Sequence, residues 1–170
     1  MDAITSGDNN VAVGYDALGG NTSGGTNTAI GANAMVSNTT ASNNVAVGYA
    51  SLDANTTGAG NTAVGTAALS ANTTAANNVA VGYDALLTNT TGTENVAIGY
   101  GALDANTTTS SNTAVGHNAL TANTAGDNTA VGRHALTANT TGTGNAAVGL
   151  NALAATTTGS ANTGIGYGAL

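Results

Sequence analysis

The chain has 170 residues, of which 5% are charged, and its formal net charge is -7 at pH 7. It contains no cysteine, which excludes a framework of disulfides or thiolate-bound metals. Its single basic residue, Arg133, cannot neutralise a nucleic-acid backbone, and the net negative charge opposes binding to anionic membranes. No apolar stretch reaches the roughly 18 residues of a membrane span. We therefore expect neither nucleic acid as a partner nor insertion into a membrane.

The dominant feature of the sequence is a short repeat marked by glycine. Ten glycines follow one another at a 17-residue interval, except for a single 16-residue interval. They are Gly14, Gly31, Gly48, Gly65, Gly82, Gly99, Gly116, Gly132, Gly149 and Gly166. Such a period predicts one small structural unit copied along an axis, in which each copy buries its apolar residues against its neighbours. We expect the function to lie in a repeated surface and not in one residue.

The repeat has the consensus N-[VT]-A-[VI]-G-x-x-A-L-x-x-N-T-T-G-x-x. Its N-V-A-V-G part alternates with period two, which is typical of a β-strand. Gly, Thr and Asn in every repeat disfavour helix interiors. Strands this short are stable only when they stack in register along a shared core. The sequence therefore predicts an all-β fold, a parallel β-solenoid (β-roll) of about ten 17-residue coils.

We call the residues at one position of successive repeats a column. The Val or Ile column that contains Val13, Ile30 and Val47 is predicted to point into the solenoid, together with the Leu column and small alanines such as Ala17 and Ala68. Replacing Val81 by Asp is then expected to place an unpaired charge in the core.

The glycine and asparagine columns are interpreted as structural. Glycine supplies backbone angles at a corner, and a buried Asn bonds turn amides and its own copy in the next coil.

The position after the glycine holds all five tyrosines and is predicted to face solvent, because it also accepts Ala32, Thr66, His117, Arg133 and Leu150. The tyrosines are Tyr15, Tyr49, Tyr83, Tyr100 and Tyr167. A row of exposed rings suits contact with carbohydrate or protein. Alternatively, the rings cover coil edges or a seam between chains. In the first half Tyr alternates with smaller residues, which hints at a double unit made of two successive repeats.

The N-T-T segments predict parallel ladders of amides and hydroxyls. Their first threonines, a candidate surface ladder, include Thr39, Thr56, Thr73, Thr90 and Thr107. One interpretation is structural, since Thr is a good half-buried strand residue. The other is functional, because a flat, uncharged hydroxyl array resembles the surface that ice-binding solenoids present to ice. Seven of the N-T-T or N-T-S segments also match the N-glycosylation motif, but glycans in successive repeats would crowd one another.

The sequence offers no catalytic constellation. His117 and His134 stand at different offsets from their glycines, and no acid or hydroxyl recurs with them at a fixed relation. The acidic residues are scattered over several offsets, whereas calcium-binding solenoids repeat an Asp at one offset. We therefore predict no enzyme, and no catalytic, cofactor-binding or metal-binding residue.

The segments N-V-A-V-G-Y-D-A-L (10–18 and 78–86) and N-V-A-I-G-Y-G-A-L (95–103) resemble the head repeats of trimeric autotransporter adhesins. They are also similar to the N-T-A-V-G-Y arrays of bacterial surface and phage tail-fibre proteins. The resemblance implies a left-handed parallel β-roll, three chains side by side, and a place on a cell surface or virion. It departs in length, since the repeat of adhesin heads is shorter and the copies in this chain carry extra residues in the N-T-T turn.

Transferred to this chain, the resemblance implies that the small alanines at the strand centre form the face between chains. This candidate inter-chain face comprises Ala12, Ala29, Ala46, Ala63, Ala80 and Ala97.

The hypothesis that follows is a non-enzymatic structural or adhesive fibre segment, extracellular and homo-oligomeric, as a trimer or filament. Its ligand would be a carbohydrate, a surface or ice, and an ice-binding solenoid is the alternative function. Neither end of the array carries a distinct cap, and solenoid ends are normally capped. We therefore interpret residues 1–170 as a single repeat array that is part of a longer fibre protein.

Overall fold

A computed structural model describes residues 6–170, so the first five residues of the predicted array lie outside the described part. The described residues contain ten short strands, one in each repeat. They are β1 (Val11–Val13), β2 (Thr28–Ile30), β3 (Val45–Val47), β4 (Thr62–Val64), β5 (Val79–Val81), β6 (Val96–Ile98), β7 (Thr113–Val115), β8 (Thr129–Val131), β9 (Ala146–Val148) and β10 (Thr163–Ile165). Over this range there is no helix that is long and apolar enough to cross a membrane.

The ten strands form one parallel sheet in the order of the chain. Each residue lies opposite its equivalent in the next repeat, as in the pairs Ala46 with Ala63 and Val47 with Val64. The register also holds across the one shorter repeat, where Ala114 pairs with Ala130. The connecting residues coil back to start the next strand one rung further along. The predicted all-β parallel solenoid, with one coil for each repeat, is therefore confirmed.

The interior is built from small and medium side chains. The alanine at the centre of each strand is fully buried from Ala29 to Ala147, and it packs in one core cluster with the Leu or Met column and a second alanine column. Leu18, Met35 and Leu69 have no exposed surface. The inward position of the Leu column and of Ala17 and Ala68 is thus confirmed.

The prediction that the Val and Ile column points inward was wrong. Val13 is 57% exposed and Ile165 is 73% exposed, whereas Ala46 has no exposed surface. Period two tells which residues share a face of a strand, but it does not tell which face is inside. The coil is narrow, and leucines opposite the strand already fill it, so only a methyl group fits beneath the sheet and the larger branched residues point outward.

The candidate inter-chain face is wrong for the same reason. Its alanines from Ala29 to Ala97 are completely buried within their own chain, and Ala12, in the first rung, packs against the core at half-burial. The members concerned are Ala12, Ala29, Ala46, Ala63, Ala80 and Ala97. Side chains inside one coil cannot contact another chain, so any contact between chains must use a different surface.

One buried asparagine column forms an amide ladder from Asn21 to Asn106. The Nδ2 group of Asn38 donates to Oδ1 of Asn21 at 2.8 Å, and Asn55 donates to Asn38 in the same way at 3.1 Å. The pattern continues to Asn106, which donates to Asn89 at 2.9 Å. These asparagines have no exposed surface. Because they are also the acceptors of the N-glycosylation motifs, the folded chain does not present them for glycosylation.

The second asparagine column stands four residues before the corner glycine and joins coils through the backbone. Oδ1 of Asn44 accepts the backbone N–H of Asn61 at 2.8 Å, and Nδ2 of Asn61 donates to the carbonyl of Ala75 at 2.8 Å. The same carbonyl accepts Nδ2 of Asn72, from the first column, at 3.0 Å. The buried amides of Asn44, Asn61 and Asn72 are thus hydrogen-bonded inside the solenoid, as buried polar groups require. This confirms the structural interpretation of the asparagines.

The amide ladder is interrupted between Asn106 and Asn123. Oδ1 of Asn106 accepts the hydroxyl of Thr109, and Nδ2 of Asn123 donates to the carbonyl of Ala125. The ladder resumes with Asn139, which donates to Asn123 at 2.7 Å.

The amide ladder ends where Thr156 takes the place of asparagine. The backbone N–H of Thr156 bonds the carbonyl of Leu153, as that of Asn139 bonds Leu136, so the turn is the same. Without an amide in the next coil, the buried Oδ1 of Asn139 has no hydrogen-bond partner. The loss of the ladder at this coil therefore follows from one residue.

Replacing Thr156 by Asn should extend the ladder and stabilise the fold. The new Nδ2 group is placed to donate to Oδ1 of Asn139, and the gain expected from one satisfied buried acceptor is about 1 kcal/mol. Urea unfolding followed by circular dichroism measures it. The Thr156→Asp variant has a similar shape but no amide donor and should show no gain. Equal stability of the Asn and Asp variants would contradict this account.

Candidate interaction surfaces

The exposed apolar residues of the described chain are concentrated on one surface. We define the outer face as the first and third residues of every strand together with the residue that follows the corner glycine. Apart from Leu170, every large hydrophobic residue that is exposed in residues 6–170 belongs to it. These residues are Val11, Val13, Tyr15, Ile30, Val45, Tyr49, Tyr83, Ile98, Tyr100, Val131, Val148, Leu150, Ile165 and Tyr167.

The outer face is long and regular because the strands pair in register. Ten rungs at a spacing of about 4.8 Å give a length of roughly 43 Å. Five residues from the start of the strand to the tyrosine position give a width of roughly 15 Å. The resulting area of roughly 600 Å² exceeds what isolated exposed residues produce and approaches the about 800 Å² that one partner buries in a standard protein interface.

The outer face carries almost no charge. Its two strand columns contain only Val, Ile, Thr and Ala, and its third column adds Arg133 and His117 as the basic groups. No Asp or Glu occupies any of the three columns. Charged side chains on an exposed surface normally oppose association with other chains. The first six rungs of the outer face carry none.

The predicted surface residues of the tyrosine column are indeed exposed, and where they are adjacent they stack on one another. The rings of Tyr83 and Tyr100 lie 5.4 Å apart at 8° to each other, and those of Tyr100 and His117 lie 5.1 Å apart at 12°. Sugars bind to the flat faces of aromatic rings, but within this stack Tyr83 and His117 lie against Tyr100, which leaves one face of Tyr83 open. In this stretch the rings offer mainly their edges to a ligand.

The two histidines meet at the end of this stack. The rings of His117 and His134 lie 5.4 Å apart in an edge-to-face arrangement. Burial lowers the pKa of His134, and the positive charge of Arg133 and the neighbouring His117 lower it further. The different offsets of the two histidines in their repeats had concealed this contact from the sequence analysis. Within residues 6–170 no three His, Cys, Asp or Glu side chains come together as a metal site, and there is no enclosed pocket.

The predicted threonine ladder exists, but its hydroxyls are used inside the solenoid. Oγ1 of Thr39 donates to the backbone carbonyl of Thr56 at 3.1 Å, and Oγ1 of Thr56 donates to that of Thr73 at 3.0 Å. Oγ1 of Thr73 donates to the backbone carbonyl of Thr90 at 3.3 Å, and Oγ1 of Thr90 donates to that of Thr107 at 3.0 Å. The ladder residues up to Thr90 are half-buried. They can still accept hydrogen bonds from outside, but their donors are occupied.

The second threonine of each N-T-T segment forms the exposed column. Its members Thr40, Thr57, Thr74, Thr91 and Thr108 are exposed. Only the first threonine was predicted to form the surface ladder, although the second threonine recurs in the same segments. The two columns lie next to each other, so the described surface carries a double row of threonines.

Two carboxylates in the turns after the Leu column are incompletely satisfied. Oδ1 of Asp53 and Oδ1 of Asp104 are buried without a hydrogen-bond partner. Burial raises the pKa of Asp104, and the negative charge of Asp84 in the neighbouring coil raises it further. The carboxyl group of Asp104 therefore binds a proton more tightly in the folded state than in the unfolded chain. Protonation of Asp104 thus favours folding.

Replacing Asp104 by Asn should raise stability at pH 7, and the difference from the parent chain should shrink towards pH 4. The sign follows from the raised pKa, because the charged form that the folded state disfavours is lost on acidification. Urea midpoints at several pH values measure this. The exposed Glu94 provides a control, since Glu94→Gln should change the midpoint little at any pH. If the parent chain and the Asp104→Asn variant changed in stability by the same amount between pH 4 and pH 7, the raised pKa of Asp104 would be contradicted.

In comparisons with known proteins, no family model matches this chain, and no curated protein or solved structure is significantly similar to it.

Proposed function

We propose that this chain is a non-enzymatic structural or adhesive segment of an extracellular fibre, and that its copies assemble through the outer face. The observation that carries the proposal is the concentration of exposed Val, Ile and Tyr side chains on one uncharged surface. A fibre segment of a bacterial surface protein or a phage tail fibre agrees with the resemblance of the N-V-A-V-G-Y repeats. The proposal makes the outer face the contact between copies.

Three physical arguments favour a second copy as the occupant of the outer face. The face repeats along the chain, so identical surfaces can meet over their whole length. Its area is close to that of a standard interface, and its lack of charge leaves little to repel a second copy. Finally, the core of each coil consists of small residues, one leucine or methionine, and amides, so it buries little apolar area per residue. Association would add the burial of Val and Ile that the single chain leaves in water.

The mass of the assembled protein tests this proposal. We expect analytical ultracentrifugation to show a closed oligomer of the parent chain, a dimer if two outer faces meet directly or a trimer if three converge on one axis. The double variant Val64→Lys with Ile98→Lys places two charges on the outer face and should be monomeric while its circular dichroism is unchanged. The matched variant Thr57→Lys with Thr91→Lys places the same charges on the threonine column and should still assemble. A parent chain that is monomeric at high micromolar concentration would contradict the proposal, as would assembly of the outer-face variant.

A second candidate function is binding to ice or another regular surface through the threonines. It is favoured by the double row formed by the Thr39 and Thr40 columns, which is uncharged and repeats with every coil. Thermal hysteresis and ice-crystal shaping measure such an activity directly. If the double row binds ice, Thr74→Tyr should reduce the hysteresis strongly, because a large ring breaks the regular surface, whereas Val64→Lys should not. Absence of hysteresis in the parent chain would rule out this candidate.

A further inference from the structure

In its first five coils the tyrosine column is interrupted at two single positions. Tyr15, Tyr49 and Tyr83 stand in alternate coils, and Ala32 and Thr66 occupy the same position in the coils between them. In the next coil the column continues without a gap, because Tyr100 follows Tyr83 directly. This part of the column therefore contains two positions at which a ring is missing between two tyrosines.

The continuous part of the column shows what fits into such a gap. Tyr83 and Tyr100, one coil apart, stack with their rings nearly parallel and their centres 5.4 Å apart. The coil spacing thus brings the rings of neighbouring coils to the centroid distance of an offset stack. Tyrosines two coils apart are separated by roughly twice the spacing, about 9.6 Å. If these rings have the orientation of the Tyr83 and Tyr100 rings, a single ring placed midway between them would be within stacking distance of both.

The walls and floor of the two gaps are accessible in the single chain. Tyr15 and Tyr49 are exposed and make no ring contact with each other, and within residues 6–170 the ring contacts of Tyr83 are confined to Tyr100. The floor of the first gap is the methyl group of Ala32, and Ile30, two residues earlier in the same coil, is exposed. The second gap has the exposed Thr66 as its floor.

The charge around the gaps favours a cation. Asp16 and Asp84 directly follow Tyr15 and Tyr83, and the chain carries a net charge of -7. The single arginine lies in the coil of β8, several coils from either gap. The faces of phenol rings attract cations through their electron density. An anionic ring would meet repulsion from the same surroundings.

We propose that the two gaps, between Tyr15 and Tyr49 and between Tyr49 and Tyr83, each bind one flat aromatic ring of a small molecule, with a preference for cationic rings. The ring stacks between two tyrosines and completes the column. The alternation of Tyr with small residues, which gives the two-repeat double unit in the first half, creates these two sites. The gaps lie on the outer face, so assembly would place them at or beside the contact between copies, but the sites themselves need only one chain.

A proton NMR titration with 1-methylquinolinium, a flat aromatic cation, tests the proposal. A ring held between two tyrosines lies in the shielding region of both, so the probe signals should move upfield and saturate. Quinuclidinium, a cation without an aromatic ring, should show no saturable shift. Quinoline-2-carboxylate, a flat anion, should bind at least about tenfold more weakly. Equal binding of the three probes would overturn the proposal.

Variants of the column locate the sites. The double variant Ala32→Tyr with Thr66→Tyr fills both gaps, so it should lose saturable binding although it contains two more tyrosines. The matched variant Leu150→Tyr adds a tyrosine away from both gaps and should bind as the parent does. The Tyr49→Ala variant removes the wall that the two sites share and should weaken binding at least about tenfold. Binding that is unchanged in the variant with filled gaps would overturn the proposal. A probe that bound to tyrosines in general would bind this variant more strongly, because it has two more of them.

A titration in a different outer-face double variant, Val115→Lys with Val148→Lys, separates this inference from the assembly proposal. This variant should also be monomeric, and its charges lie on the outer face several coils away from both gaps. Binding of 1-methylquinolinium by the monomeric double variant supports the gaps as sites within one chain. If binding is lost when assembly is lost, the sites require a second copy and the proposal as stated is wrong. If the parent chain never assembles but still binds the probe, the assembly proposal fails and the sites remain.

Discussion

Replacing Ala80 by Asp should unfold the central coils of the solenoid. Ala80 has no exposed surface and lies between Ala63 and Ala97 in the core. A carboxylate there would have no ionic partner, and an uncompensated buried charge costs roughly 3–5 kcal/mol. Because coils depend on their neighbours, the damage should spread to the adjacent rungs. The urea midpoint and the amide hydrogen exchange of residues near Ala80 measure this effect.

The control is the neighbouring residue, Val81. Its side chain lies on the outer face and is half-buried, so Val81→Asp leaves the charge in contact with water. Its cost in the single chain should be about 1 kcal/mol, mainly from the lower preference of Asp for strands. We expect this variant to fold and to assemble poorly. A larger loss of stability for Val81→Asp than for Ala80→Asp would contradict the arrangement of the two faces.

Replacing Gly82 by Ala should have an effect of similar size for a different reason. Gly82 has a φ of 137°, and a Cβ atom built on it would lie 2.5 Å from the carbonyl oxygen of Gly99 in the next coil. The backbone conformation is unfavourable for any side chain, and the clash is with backbone that cannot move without breaking the sheet. We expect a loss of about 3 kcal/mol or more, measured by urea unfolding of the variant.

Gly144 provides the matched control for Gly82. Its φ is also positive, at 66°, but a Cβ atom there would have no neighbour closer than the backbone nitrogen of Ala161 at 4.0 Å. Ala161 occupies the equivalent position of the next repeat at a φ of 56°. Gly144→Ala should therefore cost about 1 kcal/mol, the strain of the left-handed conformation alone. If both glycine variants lost the same stability, close packing of the corner would not be the cause.

The short-range pattern of the sequence predicted the architecture well. The repeat period gave the number of strands and their register, because equivalent residues of successive repeats pair directly, as Ala46 pairs with Ala63. The glycine corners and buried asparagines were also predicted, since a residue that no repeat replaces must satisfy a condition present in every coil. The bonds of Asn61 to Asn44 and Ala75 meet that condition.

The candidate surfaces were predicted only in part. Tyr49 and Tyr83 are exposed as expected, but the stacking of Tyr83 on Tyr100 depends on the distance between coils, which the sequence does not state. The hydroxyl of Thr39 belongs to the predicted ladder, yet the carbonyl of Thr56 takes its proton. The more exposed surface of the segment is Thr40, one residue further along.

The sequence by itself determined that identical coils stack in parallel, because a fixed period with invariant glycine and asparagine has no other economical arrangement. Only the tertiary structure decided which face of each strand is inside. Alternation makes Ala80 and Val81 opposite in direction but does not say which is buried. The width of the coil decides it, since the leucines and the asparagine ladders leave room beneath the sheet for a methyl group, and the branched side chains therefore form the outer face.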